Sequence, residues 1–183
     1  QFDCNSECGQ LYYKLRDSDS KSMTSLHLEG LLHKKRFENP NSLVESDYAA
    51  GSFFAIHPKV YRQLDFLFDN NYFLYWEEVD LSMRVRSLGF KIYCDTTITI
   101  FRKNNLIKTE INSIYFIVRN AFLITKTLKP SFANKATFFI KYFCISLKYS
   151  LLSASPVPIF NYFNGVYDGL SSRFGHKKST KKS

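Results

Sequence analysis

The chain has 183 residues, enough for one domain with a real core and short for two. Hydrophobic residues make up 45% and charged ones 22%, the balance of a folded protein rather than of a disordered or low-complexity chain. The aromatic share of 17% and the formal net charge of +9 stand out. Eighteen Phe and twelve Tyr exceed what one small core needs, so some are expected at a surface that meets another apolar phase. The charge favours anionic partners. Cys4, Cys8, Cys94 and Cys144 are scattered and form no evident disulfide framework, and no basic-plus-apolar signal segment opens the chain, so reduced cytosol is the expected setting. The start at Gln1, inside a polar run, reads as a fragment or a trimmed chain.

In chain order, Leu11-Tyr12-Tyr13-Lys14-Leu15 suits a short strand, residues 16–25 are turn-rich, and Glu38-Asn39-Pro40-Asn41-Ser42 is a loop. Residues 48–56 are apolar with the small residues Ala49, Ala50, Gly51 and Ser52, which suits a buried strand approached closely by a ligand or another backbone. Pro58 opens a short helix ending near Leu64, and Phe68-Asp69-Asn70-Asn71 is a turn. Residues 77–88 carry a helix signature: acidic residues in the first turn, Arg84 and Arg86 in the last, Gly89 just beyond. Strands are expected over residues 90–94 and again over 98–101.

From Lys108 onward the periodicity is helical, with Ile114, Ile117, Val118, Ala121 and Ile124 on one face. Residues 136–152 are the most apolar part of the chain, interrupted by Lys141 and Lys148 on a shared face. The uninterrupted apolar length needed to span a bilayer is missing, and Pro156 and Pro158 close the segment. An interfacial helix fits this pattern, and so does a helix packed on the domain core. The last residues, from His176 to Lys182, form a basic tail that favours anionic lipid or simply solvates.

Chemistry points first to Glu77, Glu78 and Asp80, three carboxylates within four residues after Tyr75-Trp76. A helix N-terminus and Arg84, one turn beyond Asp80, offset their repulsion, so the run works as a helix start. It also works as a general base whose pKa the apolar Phe73-Leu74-Tyr75-Trp76 wall raises. Cys4-x3-Cys8 followed by His27-x5-His33 has the letters of a zinc finger, but the central spacer is too long and the finger's core positions are not apolar. Asp17-Ser18-Asp19 has the letters of a metal-binding Asp-x-Asp pair and also those of a surface turn.

The ordered set is more specific than any one motif. A small-residue run from Asp47 through Ile56 is followed by Phe68-Asp69, the aromatic pair Tyr75-Trp76, Glu77-Glu78-Val79-Asp80-Leu81, then Arg84 and Gly89. This resembles the acceptor half of family-2 glycosyltransferases, above all the rhamnosyltransferase-like enzymes of bacterial surface polysaccharides such as O-antigen. Tyr115-Phe116-Ile117-Val118-Arg119-Asn120 is similar to the family's aromatic-Arg-Asn helix. Gly165-Val166-Tyr167-Asp168-Gly169-Leu170 and Arg173-Phe174-Gly175 are similar to its C-terminal ending.

The resemblance implies an α/β chain holding part of a GT-A fold, the Rossmann-like fold of nucleotide-diphospho-sugar transferases, with a C-terminal helical, membrane-associating extension. The boundaries are residues 1–107 for the acceptor-side part, 108–175 for the extension and 176–183 for the tail. The implied reaction is inverting transfer from a nucleotide-sugar donor to a saccharide acceptor, lipid-linked, at the cytoplasmic face of the plasma membrane, with the protein peripheral on an anionic surface. Glu78 stands at the base position, with Glu77 as the alternative and Asp80 and Arg84 orienting the turn. Gly51, Ser52, Tyr75 and Trp76 fall to the acceptor side. A divalent cation, Mg2+ or Mn2+, stabilises the leaving diphosphate, and Asp17 with Asp19 are the candidate ligands.

The sequence departs from the family pattern at two residues: Glu78 replaces an Asp, and Arg102 falls where a His is usual, suited to pairing with a diphosphate rather than to a metal. The nucleotide-binding half has no clear counterpart, so a chain lacking the donor site is expected. The competing class is a membrane-surface module without chemistry. Nucleic acid is not expected as a partner, because the basic residues are spread and no recognised motif is present.

Overall fold

A computed structural model describes residues 7–17, 43–49, 51, 53–102 and 106–176. Cys4, Asp19, His27, His33, Ser52, the expected loop at residues 38–42 and the tail beyond His176 lie outside the described residues. The chain is mixed α/β: among the described residues, one four-stranded mixed sheet and five helices. It divides into two compact units, Gln1–Phe68 with Glu78–Asn105, and Asp69–Glu77 with Leu106–Ser183.

The first unit holds the sheet, with strands β1 (Cys8–Asp17), β2 (Leu43–Ser46), β3 (Phe54–Ile56) and β4 (Lys91–Arg102) in the order β2-β4-β1-β3. β1 and β4 run parallel, while β2 and β3 lie antiparallel at the two edges. The two strands expected over residues 90–101 are one strand with an irregularity. Tyr13 faces Asp95 but the next residue, Lys14, faces Thr99, so the intervening residues of β4 bulge out of register. Among the described residues of the expected strand over 48–56, Phe54–Ile56 is the part that pairs. Small side chains permit a close approach as readily in a turn as in a strand.

Helix α1 (Pro58–Tyr61) starts on its proline, with the His57 ring accepting from the backbone N–H of Lys59 at 3.1 Å. Helix α2 (Glu77–Ser87) ends where expected, with Gly89 beyond it at φ +86°. Leu81 and Val85 of α2 join Ala49, Val60, Ile92 and Cys94 in a core from which water is excluded. β1 comes close to this helix because Gly9 has no side chain: a Cβ there would lie 2.7 Å from Val85 Cγ1 and 2.5 Å from Phe90 Cβ.

Cys8 is disulfide-bonded, whereas Cys94 and Cys144 are free thiols. This corrects the reading of the four cysteines as unconnected, and it removes a thiolate from the Cys-His constellation. Spacing shows which thiols could meet, not which do.

The second unit is built from α3 (Leu106–Leu128), α4 (Phe132–Leu152) and α5 (Val157–Leu170). The expected face of α3 is its buried one: Ile114, Val118, Ala121 and Ile124 are at most 2% exposed, and Ile117 is half-buried. Ile114 and Val118 pack with Tyr162 of α5 and with Phe139, Tyr142 and Ile145 of α4. The prolines expected to close the apolar segment stand just beyond its end at Leu152, and they also open α5, where a missing N–H costs nothing in the first turn. α5 lies against α3 at Gly165, where a Cβ would fall 2.8 Å from the Tyr115 carbonyl oxygen. No helix among the described residues is long and apolar enough to cross a membrane.

Candidate functional site

The acidic run is divided between the two units: Glu77 ends a segment of the second, while Glu78 and Asp80 belong to the first. In the first unit, Gly51 lies against Glu78, since a Cβ on Gly51 would sit 3.4 Å from Cβ and Cδ of that glutamate. Thus the small residue of the 47–56 run and the expected base are neighbours.

Asp80 is buried and accepts from Arg84 Nε at 2.9 Å. The same guanidinium donates to the carbonyls of Phe66 at 2.6 Å and Leu67 at 2.8 Å, and lies 4.4 Å from the Phe66 ring centroid. One planar fork therefore ties α2 to the loop after α1, a geometry that a lysine cannot reproduce.

Ser82 supplies a connection that the sequence reading missed. Its hydroxyl bonds the Glu78 carbonyl at 2.7 Å and Gln10 Oε1 at 3.0 Å, and accepts from the Ala49 N–H at 3.0 Å. It joins α2, β1 and the small-residue segment, and a mid-helix serine carries no signal of that in sequence.

In the second unit, residues 71–76 approach the acidic run in a conformation rare for side chains of their size. Phe73, Tyr75 and Trp76 have φ of +60°, +64° and +75°. Bulky residues in the left-handed region cost on the order of 1–3 kcal/mol each and persist only when neighbours fix them. The fixing residues are Arg119 and Asn120 of α3, both at most 1% exposed. Asn120 Nδ2 donates to the carbonyls of Tyr72, Leu74 and Tyr75 at 2.7, 2.8 and 3.0 Å. Arg119 donates to the carbonyls of Tyr72 at 3.0 Å and Gly175 at 2.7 Å, and through Nε to Asn120 Oδ1 at 2.9 Å. Gly175, at φ +82°, returns a hydrogen bond from its N–H to the Asn71 carbonyl at 2.7 Å. The aromatic pair, the Arg-Asn helix and the C-terminal glycine, far apart in sequence, are one hydrogen-bonded knot.

Trp76 is buried, donating its indole N–H to the Ile117 carbonyl at 3.0 Å and meeting the Phe138 ring at 5.7 Å. Tyr75 is half-buried. At the end of this loop the Glu77 carboxyl is raised above the ordinary carboxylate value by burial, partly offset by its own backbone N–H. Its Oε2 is buried with no hydrogen-bond partner.

Asp17 and Arg102 are register partners at the C-terminal ends of the parallel strands β1 and β4. The ends of parallel strands are where open α/β sheets place ligands. Among the described residues no group of three or more His, Cys, Asp or Glu could hold a metal ion. No family model, no curated protein and no solved structure matches the chain.

Proposed function

We propose that this chain is the acceptor side of an inverting, GT-A-type glycosyltransferase of family 2, acting on a lipid-linked saccharide. The observation that carries the reading is the strained 71–76 loop, pinned through three carbonyls by Asn120 and leading directly into Glu77-Glu78. Backbone strain held by a dedicated clamp is the signature of a presented functional group. A helix start needs no such loop, so the acidic run does more than cap α2. Tyr75, Arg119, Asn120 and Gly175 of the knot are among the residues that carry the family resemblance.

In this reading the base takes the proton of an acceptor hydroxyl as that oxygen attacks the anomeric carbon. The bond from that carbon to the donor diphosphate breaks, and the nucleotide diphosphate leaves with the electron pair, inverting the centre. The resemblance puts the base at Glu78, beside Gly51; Glu77 has the carboxyl that burial raises towards the range of a general base. A divalent cation, when bound with the donor, would neutralise the diphosphate charge. The described residues offer no cluster of three or more His, Cys, Asp or Glu to hold one.

The test is sugar transfer by membranes from cells expressing the protein from its own gene, with Glu78→Gln and Glu77→Gln compared. Loss of the base is expected to lower the rate by about 10²-fold or more with secondary structure intact. Full transfer by both variants would sink the catalytic reading and leave the membrane-surface module.

A further inference from the structure

The second unit has a face that its own core does not use. On α4, Ile140, Phe143, Leu147 and Leu151 recur at helical spacing and are between 38% and 74% exposed. On α5, Val157, Phe160, Phe163, Tyr167 and Leu170 do the same, between 48% and 70% exposed. The two stripes are one surface, because Phe143 meets Phe163 with ring centroids 6.2 Å apart. Isolated exposed apolar residues are ordinary; a continuous two-helix face of them is not.

Charge says what covers this face. The second unit carries twelve Lys and Arg against four Asp and Glu, which is +8 of the chain's +9. From Lys129 to the end there are nine Lys and Arg and a single acidic residue, Asp168. That carboxylate accepts from the Tyr115 hydroxyl at 2.7 Å and lies 3.8 Å from Arg173, so it is already engaged. Neither apolar stripe contains a charge. Lys141 and Lys148 fall along one margin of the α4 stripe, about a quarter-turn round the helix from it. Lys148 also lines a mostly apolar cavity of about 260 Å³ with Ile114, Ile117, Tyr142, Ile145 and Tyr149. Protein–protein interfaces are depleted in Lys relative to the rest of the surface. An apolar face with a margin of one sign matches an anionic lipid interface, with rings and aliphatic chains at the acyl boundary and lysines at headgroup level.

We propose that the exposed α4–α5 face is a membrane-docking surface that lies in the interfacial zone of an anionic bilayer. It deepens the reading of a lipid-linked acceptor by naming the surface that meets the lipid. It stands on the second unit alone, so it can fail while sugar transfer survives, and the reverse.

The experiment is flotation of the whole chain with phosphatidylcholine vesicles, with and without phosphatidylglycerol, at low and physiological salt. Binding is expected on phosphatidylglycerol vesicles and is expected to weaken as salt rises. Leu151→Glu with Phe160→Glu, at positions 74% and 61% exposed, should leave the helical signal intact. The pair is expected to cut partitioning roughly tenfold or more. Lys148→Glu should cost about fivefold on anionic vesicles and little on neutral ones. The milder Phe160→Ser keeps the test open if the double variant fails to fold. Three results would overturn the proposal: no flotation of the unaltered chain, flotation untouched by the apolar variants, or a concentration-dependent dimer that the same variants abolish, which would make a second copy the occupant.

Discussion

Asn120 Nδ2 lies 3.0 Å from the carbonyl oxygen of Tyr75, a residue held at φ +64°. One side-chain amide serves this carbonyl and those of Tyr72 and Leu74, so a buried residue of α3 sets the path of the chain into the acidic run. The relationship gives Asn120 one task, to position the loop, and the carboxylates beyond it are those proposed for the chemistry.

Removing the clamp should therefore cost stability first. Asn120→Ala is expected to destabilise the protein by about 2 kcal/mol, close to 1 kcal/mol each for the Leu74 and Tyr75 carbonyls, since the Tyr72 carbonyl keeps its bond from Arg119. Asn120→Asp should be worse at neutral pH, because it sets a carboxylate against three carbonyl oxygens and keeps no donor. Urea midpoints for the two variants check the order. An Asp variant more stable than the Ala variant would mean that the amide is not what holds the loop.

Glu77 gives a pH dependence with a definite sign. Burial raises its folded-state pKa above the ordinary 4.5. Below 4.5 the group is protonated in folded and unfolded chains alike, and its contribution to stability is fully present. As pH rises through the folded value, ionisation is resisted only in the folded state, and that contribution is lost. Glu77→Gln has no such titration. Its stability relative to the unaltered protein is expected to rise as pH climbs from 4.5 through the raised folded-state value, and to be flat on either side. Urea unfolding across this range measures it, and a constant difference would show that Glu77 titrates as an exposed glutamate does.

The outline of α2 was legible because three local signals agree: acidic residues at its start, Arg84 and Arg86 in its last turn, and Gly89 beyond. The buried stripe of α3 was legible by period alone. The strained loop was not, because Phe73, Tyr75 and Trp76 have no intrinsic leaning to the left-handed region, and what holds them there sits more than forty residues later. Arg119-Asn120 did carry a trace of that role, as two polar residues set among the buried positions 114, 118, 121 and 124. α5 was hidden by Pro156 and Pro158, since a proline that ends one helix can equally begin the next. That Tyr75, Arg119, Asn120 and Gly175, far apart in sequence, form one knot could not be read from spacing.

Arg84 and Arg86, two residues apart on α2, should respond very differently to the same change. Arg84 engages Asp80 and two backbone carbonyls, with side chains 22% and 12% exposed across the ion pair. Lysine can occupy only part of that fork, so Arg84→Lys is expected to cost about 2 kcal/mol. Among the described residues Arg86 reaches Asp47, at 3.3 Å on the surface. Arg86→Lys should stay within about 0.5 kcal/mol. Equal effects in chemical denaturation would show that the Arg84 fork adds nothing beyond its charge.

Gly165 offers the sharpest test of the α3–α5 packing, because propensity and contact point in opposite directions there. In the middle of α5, alanine would be favoured over glycine by about 1 kcal/mol on helix propensity alone. The added Cβ, however, would meet the Tyr115 carbonyl oxygen at 2.8 Å and the Arg119 nitrogen at 3.3 Å, both backbone atoms that cannot rotate away. Overpacking of this kind typically costs 1–3 kcal/mol. Gly165→Ala is thus expected to be destabilising by about 1 kcal/mol net, even though it favours the helix. It should also weaken the Tyr115–Asp168 hydrogen bond, since α5 has to move away from α3 to make room. A thermal melt reads the stability, and the tyrosine absorbance titration reads the bond. Burial first and the Asp168 carboxylate second hold Tyr115 above its usual value, so that value should fall towards the ordinary range. A stabilised variant with unchanged tyrosine titration would mean that α5 is not held against α3 at Gly165.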